Sequence, residues 1–292
     1  MMAKKFTAAL AIATGALLAS CATAPLSQAT AEQSEKPKYV ILMVSDGIGF
    51  NGWLAADYYQ GLAGQQSYQV TRPDGTEPVV LGLAHSALNL IDENGNLIPR
   101  GGDSSLASGA VEQGYDPTTR WRSFETTMAN DFAVADRKLA YTSYTDSAAA
   151  GTALISGRKT WADRLNVDWT GTIEFETFAT RAMDRGLSTG AVSSVMASHA
   201  TPAAVIAHNV SRDNYVEIFN EMVASDLTVI MGGGHPLYDG SGNVNDAPKA
   251  RDFRYVGGKE TLGKLTSDEG LNGFTFIDAK DDFAALADGT DL

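Results

Sequence analysis

The sequence predicts an α/β fold built on a mainly parallel sheet. Three observations carry this. Tyr39–Val44 is a continuous apolar run closed by Ser45-Asp46-Gly47, the pattern of a strand buried on both faces. Ser188–Met196 and Leu227–Met231 repeat that character further along the chain. Helical patterns lie between the strands, and strands alternating with helices favour parallel pairing.

The elements follow in order. Residues 1–31 read as a targeting segment: Lys4 and Lys5 are a basic start, and Phe6–Ala19 is an apolar and small-residue run too short for a mature transmembrane helix. Two processing routes are readable. Leu18-Ala19-Ser20-Cys21 resembles a bacterial lipobox that would place a lipid on Cys21, and Ala29-Thr30-Ala31 is an A-x-A cleavage site. The lipobox is favoured, because the one Cys of the chain sits at the end of the apolar run. Either route implies export, to the periplasm or to an outer-membrane anchor. One cysteine also excludes an intramolecular disulfide.

Polar residues around Pro37 read as a linker. After the first strand, residues 51–62 suit a helix. Residues 65–135 read as a long irregular insertion with a hairpin at Asn94-Gly95, and Leu139–Thr145 as a strand. Ala148–Leu154 suits a tightly packed helix. Ile173–Arg185 is predicted as a helix stopped by Gly186. Ala203–His208 and Tyr215–Ala224 read as short helices, and Gly232-Gly233-Gly234 as the loop after the third strand. Residues 32–292 are thus expected to form one α/β domain.

The formal charge is −13, or −15 once Lys4 and Lys5 are removed with the leader (−13 minus 2). A field of that sign disfavours nucleic acid and anionic membrane surfaces. An anionic substrate would need local cations.

Four places can carry chemistry. Asp46 follows the first strand, where a carboxylate can face a cation; a plain Asp-Gly turn is the alternative. Asp146-Ser147 stands before a helix, where unpaired N–H groups favour an anion; either residue also suits a simple helix cap. Ser147 lacks the Gly-x-Ser-x-Gly elbow, so a metal rather than a His is the expected activator. His199 and Thr201 follow a strand, where an extended i, i+2 pair would point one way; a Thr-Pro surface turn is the alternative. Arg212 can grip phosphate through its planar fork or stand solvated on the surface.

Ser45-Asp46-Gly47-Ile48-Gly49, Thr145-Asp146-Ser147-Ala148-Ala149-Ala150-Gly151-Thr152 and His199-Ala200-Thr201-Pro202-Ala203-Ala204 with Arg212 occur in the order found in alkaline phosphatases. Residues 38–238 resemble that family. The resemblance implies a three-layer sandwich and hydrolysis of phosphate monoesters through a phosphoserine on Ser147. Asp46 would bridge a zinc and a magnesium, with Ser147 also a metal ligand. His199 and Thr201 would lie in the magnesium shell, Arg212 would hold the phosphate, and Asp146 would position that Arg. Two zinc ions, Mg2+ and a homodimer are implied with it. Two other readings are a related phosphodiesterase or sulfatase, and a lipid-anchored phosphate- or metal-binding protein without turnover.

The family's zinc motifs, Asp-x-x-x-His and Asp-His, do not occur: His85, His199, His208 and His235 all lie outside them. Two explanations stand, a piece of a longer enzyme or a short protein unable to hold two zinc ions; the first is favoured, and little activity is expected from these 292 residues alone.

Overall fold

The computed structural model describes residues 39–48, 50–66, 69–71, 73, 75–79, 83, 85–98, 102–112 and 145–286. The leader with Cys21, the linker at Pro37 and the strand expected over residues 139–144 lie outside them. The described chain divides after Ser45 into two units.

In the first unit, residues 39–45 take no regular structure, and the apolar side chains are exposed, Met43 at 89%. The strand expected over Tyr39–Val44 is therefore not formed. A run apolar on both faces needs two covered faces and a ladder partner, and no described strand pairs with it.

The second unit begins with α1 (Phe50–Gln60), matching the expected helix. The hairpin at Asn94-Gly95 is present: β1 (Asn89–Ile91) pairs antiparallel with β2 (Leu97–Ile98) and, on its other side, with β3 (Gly109–Val111). Asp92 closes the turn, its carboxylate accepting from the Asn94 and Asn96 amides at 2.9 and 2.8 Å. Asp239 repeats the device in Asp-Gly-Ser-Gly-Asn, accepting from Ser241 and Asn243 at 2.8 and 2.9 Å. Both carboxylates are consumed by their own loops.

Then come α2 (Ser147–Ser156), α3 (Phe178–Met183), β4 (Gly190–Met196), α4 (Ala200–Ala203), α5 (Tyr215–Ala224) and β5 (Val229–Gly233). A 3-10 helix over Ala250–Val256, α6 (Lys259–Leu265) and α7 (Lys280–Ala284) follow. β4 and β5 run parallel with two helices between them, an α/β arrangement. The predicted sheet is larger than the one seen. Among the described residues the parallel sheet has two strands, and a separate antiparallel sheet has three.

The helix expected over Ala203–His208 lies earlier, at Ala200–Ala203, and residues 204–206 are turn. Three further segments differ from expectation for local reasons. The helix expected over Ile173–Arg185 is confined to Phe178–Met183. The Thr177 hydroxyl accepts from the Thr180 amide and caps it there, while the Phe175 amide is drawn away to the Asn166 carbonyl at 2.7 Å. Gly186 does end it, in the left-handed conformation. β4 is half open rather than buried, with Val192 67% exposed. Gly232 and Gly233 belong to β5 rather than to a loop, because Gly232 packs directly on the backbone of Ala197 and Val195.

The core lies between β4, α2, α4, α5, the 3-10 helix and α6. Ala148, Ala200, Ala203, Ala204 and Ala207 are fully buried beside Leu165, Ile218 and Met222. Small residues let α2 and α4 approach closely: a Cβ on Gly151 would stand 2.9 Å from the Ala204 Cβ.

His208 pins α5 to this core. Its Nδ1 meets Glu221 at 2.8 Å and its Nε2 meets the Phe175 carbonyl at 3.0 Å. Two acceptors on one ring favour the doubly protonated form. Burial alone would lower the pKa. The Glu221 and Phe175 hydrogen bonds, with the charges of Glu221 and Glu174, outweigh it and raise the value. The raised group stabilises the fold fully below the unfolded imidazole value of about 6.5, and that contribution is lost as pH rises through the folded value. Urea midpoints of the chain are therefore expected to fall above neutral pH, and the fall to vanish in His208→Gln. An equal slope in both proteins would contradict this.

Candidate active site

The carboxylate of Asp46 is the centre of the arrangement. The Ser147 hydroxyl donates to Asp46 Oδ2 at 2.8 Å, and the Thr201 hydroxyl donates to the same oxygen at 2.7 Å. Residues 101 and 155 positions away along the chain thus converge on one oxygen. Asp46 sits in the turn with Gly47, whose φ is +71°, and not at the end of a strand. The partial burial of Asp46 favours the neutral acid. The two hydroxyls, the Arg212 charge and the Gly47 amide outweigh this and hold its pKa below the ordinary value. An ionised acceptor shared by two hydroxyls follows.

Ser147 owes its freedom to its neighbour. Asp146 is the N-cap of α2, its carboxylate accepting from the amides of Ala148 at 3.0 Å and Ala149 at 3.4 Å. Ser147 is the first helical residue, so its hydroxyl is not used for capping. The choice between cap and reactive group is resolved by a division of labour between adjacent residues.

Asp146 Oδ2 also accepts from Arg212 Nη1 at 3.3 Å. That contact uses one of five guanidinium donors. The Arg212 backbone is set independently, its amide donating to the Asp163 carbonyl at 2.7 Å. Asp46, Ser147 and Thr201 therefore form one cluster. Asp146 and Arg212 form a second, joined to the first through the N-terminus of α2.

His199 departs from the expected geometry. It is the N-cap of α4 in extended backbone, whereas Thr201 is already helical, so the two do not form the extended i, i+2 pair. Pro202 falls in the first turn of α4, where its missing N–H is harmless. The His199 ring stacks on Tyr215 (centroids 5.4 Å apart, 21° between planes) and stands 5.5 Å from Tyr255. Its Nε2 is buried without a partner among the described residues. Burial, then the charges of Arg212 and Arg254, outweigh the opposing charge of Asp213 and lower its pKa, so the neutral ring is favoured. Nothing in the sequence marks Tyr215, Tyr255 or Arg254, which lies over Tyr255 at 4.3 Å. Their separation along the chain carries no motif.

The donors present suit a hard cation. Asp46, Ser147 and Thr201 offer oxygen, the preferred chemistry for magnesium, and the orphaned His199 nitrogen stands on the adjoining helix cap. They do not suit two zinc ions. Among the described residues no group of three His, Cys, Asp or Glu side chains gathers, whereas each zinc asks for about four ligands. An apolar cavity of about 300 Å3, lined by Ile230, His235, Phe274 and Phe276 among others, contains none of the six residues.

A family model for alkaline phosphatase matches residues 116–289, more than half of the chain. The chain belongs to the alkaline phosphatase family. It is 37% identical over 127 residues to alkaline phosphatase 4 of Bacillus subtilis (strain 168), covering 41% of this chain and 27% of the relative. It is 33% identical over 159 residues to alkaline phosphatase 3 of the same organism, covering 50% and 34%. The chain thus spans about a quarter to a third of the length of these curated relatives. Among solved structures it is similar to the cold-active alkaline phosphatase of a psychrophilic Shewanella sp. The identity is 40% and the TM-score 0.32, over 34% of this chain and 25% of that one. It is 28% identical to the alkaline phosphatase of the Antarctic bacterium TAB5, with a TM-score of 0.37 over 50% of this chain and 38% of that one. A variant of the Antarctic enzyme was solved with magnesium in its M3 site.

Proposed function

We propose that this chain carries the nucleophile and the phosphate-gripping arginine of a metal-dependent phosphomonoesterase, acting through a phosphoserine on Ser147. The observation that carries the reading is the pairing at the N-terminus of α2: Asp46 accepts from the Ser147 hydroxyl while Asp146 holds Arg212 beside it. In the proposed step the Ser147 Oγ–phosphorus bond forms as the bond to the leaving alkoxide breaks. The Ser147 proton departs along its hydrogen bond to Asp46, which passes it on to solvent and stays ionised, and the alkoxide takes up a proton from water. Water then cleaves the phosphoserine, restoring serine and releasing inorganic phosphate.

Each residue has a physical part. Arg212 binds equatorial phosphate oxygens with the donors that Asp146 does not use. The helix N-terminus favours the added negative charge. Asp46 and Thr201, with Ser147, would hold magnesium, which when bound supplies charge neutralisation for phosphoryl transfer.

The test is incubation with magnesium, zinc and a chromogenic phosphate monoester, beside Ser147→Ala. Mass spectrometry of the Ser147 peptide is expected to show one added phosphoryl group, absent from the variant, with only slow alcohol release. Label on another residue, or label surviving in Ser147→Ala, would sink the proposal. Phosphate binding with no covalent label would favour a non-catalytic binding protein. We further propose export with a lipid on Cys21, supported by residues 1–31 alone; homodimerisation is proposed from the family resemblance only. Loss of membrane association in Cys21→Ala would test the anchor.

A further inference from the structure

Asn166 occupies an unusual place for a polar residue. It is fully buried, and its φ is +45°, in the left-handed region that non-glycine residues other than Asn and Asp rarely adopt. All but one of its polar atoms are engaged, and the partners lie on separate elements. Its amide donates to the Thr152 hydroxyl of α2 at 2.9 Å. Its side-chain Nδ2 donates to the carbonyls of Ala204 at 2.7 Å and Ala207 at 2.9 Å, just beyond α4. Its carbonyl accepts from the Phe175 amide at 2.7 Å. Only Oδ1 lacks a partner among the described residues.

The neighbours of Asn166 extend the clasp. Leu165 exchanges both backbone hydrogen bonds with Asn209 at 2.9 Å, and the Asp163 carbonyl takes the Arg212 amide. Thr152 returns a hydrogen bond to the Arg164 carbonyl at 3.3 Å. Residues 163–167 therefore touch the helix that carries Ser147, the end of the helix that carries Thr201, and the backbone of Arg212. None of these contacts involves a reacting group.

We infer that Asn166 is a positioning residue, the junction that holds Ser147, Thr201 and Arg212 in mutual register. This rests on the proposed role of those three residues. The side chain is suited to the place. Asn tolerates the left-handed backbone, and one NH2 group supplies both donors for carbonyls that have no helical partner. Gly keeps the backbone but loses the bridge. Asp keeps the shape but sets a carboxylate oxygen against two carbonyl oxygens, so it is the worse substitution despite its closer size.

The experiment is residue-resolved hydrogen exchange on the full chain, for the wild type, Asn166→Gly and Asn166→Asp. Amides of Ala150, Ala204, Ala207 and Arg212 are expected to exchange at least tenfold faster in Asn166→Gly, and faster still in Asn166→Asp. The Leu262 and Thr266 amides of the α6 region stay unchanged. Equal acceleration at the α6 amides would reduce Asn166 to an ordinary core residue and overturn the inference. Acceleration at Ala207 alone would overturn it too, leaving a local cap. If Asn166→Asp does not fold, Thr152→Val against Thr152→Ser decides the matter: the hydroxyl-bearing variant must restore protection at Ala150 and Arg212. Inorganic phosphate binding is measured in parallel. A wild-type chain that binds no phosphate counts against the phosphatase reading, whereas the exchange pattern still decides the role of Asn166.

Discussion

Gly232→Val is expected to be the most destabilising single substitution in the parallel sheet. A Cβ at this position would stand 2.7 Å from the Ala197 amide nitrogen, 2.8 Å from its Cα and 2.9 Å from the Val195 carbonyl oxygen. All three are backbone atoms, so no rotamer change relieves the contact. The two strands would have to part where their register already shifts, between Val192 and Met196. Overpacking in a tight site costs about 1–3 kcal/mol, and a clash against backbone belongs at or above the top of that range. Because β4 leads directly into His199 and α4, the loss should reach the Thr201 side of the site. Gly263→Ala is the matched control. Gly263 lies inside α6 with nothing within 4 Å of an added Cβ. There the substitution should stabilise by about 0.5–1 kcal/mol, from helix propensity alone. Chemical denaturation of both variants checks the pair. A Gly232→Val midpoint equal to that of the parent would contradict the packing described.

The contrast between those glycines shows which features were legible in the sequence. The hairpin at Asn94-Gly95 and the helix Tyr215–Ala224 are encoded locally, by turn chemistry and by an apolar face, and both stand where the pattern places them. β4 and β5 were legible as strands. Their depth was not, because burial depends on what covers each face rather than on the strand's own residues. Tyr39–Val44 fails for the same reason. The truncated helix at 178–183 was decided by a single hydroxyl at Thr177, against a longer run of residues that would tolerate helix.

The site divides along the same line. Asp46, Asp146, Ser147, Thr201 and Arg212 stood out as short motifs, and the structure gathers them around the start of α2. Asn166 gives no signal, since an Asn between Leu165 and Val167 looks like an ordinary loop residue apart from its partners on three other segments, at Thr152, Phe175 and Ala204–Ala207. Tyr215 and Tyr255 were invisible for a similar reason. Forty positions separate them, and only folding stacks them beside His199.

Asp46→Ala is expected to remove phosphoserine formation on Ser147 almost completely, by a hundredfold or more, while leaving the fold close to intact. The two halves of that statement rest on different observations. Asp46 is exposed and lies outside the core cluster, so its removal opens no cavity, and surface substitutions usually move stability by no more than about 0.5 kcal/mol. Yet one of its oxygens accepts from both Ser147 and Thr201. Without it the Ser147 hydroxyl has lost the acceptor that orients it and draws away its proton, and the oxygen donor set for a magnesium ion has lost its one charge. A hundredfold loss corresponds to about 2.7 kcal/mol, within reach of removing a single charge-assisted partner from a reacting group. Asp46→Asn separates the two contributions. It keeps an oxygen for the hydroxyls but not the negative charge, so it should retain hydroxyl order while still failing to bind magnesium. Thr201→Val, which removes one hydroxyl and spares the carboxylate, should cost far less than either. Equal phosphoserine yields from Asp46→Ala and the parent chain, at matched stability, would show that the shared oxygen organises the site without taking part in its chemistry.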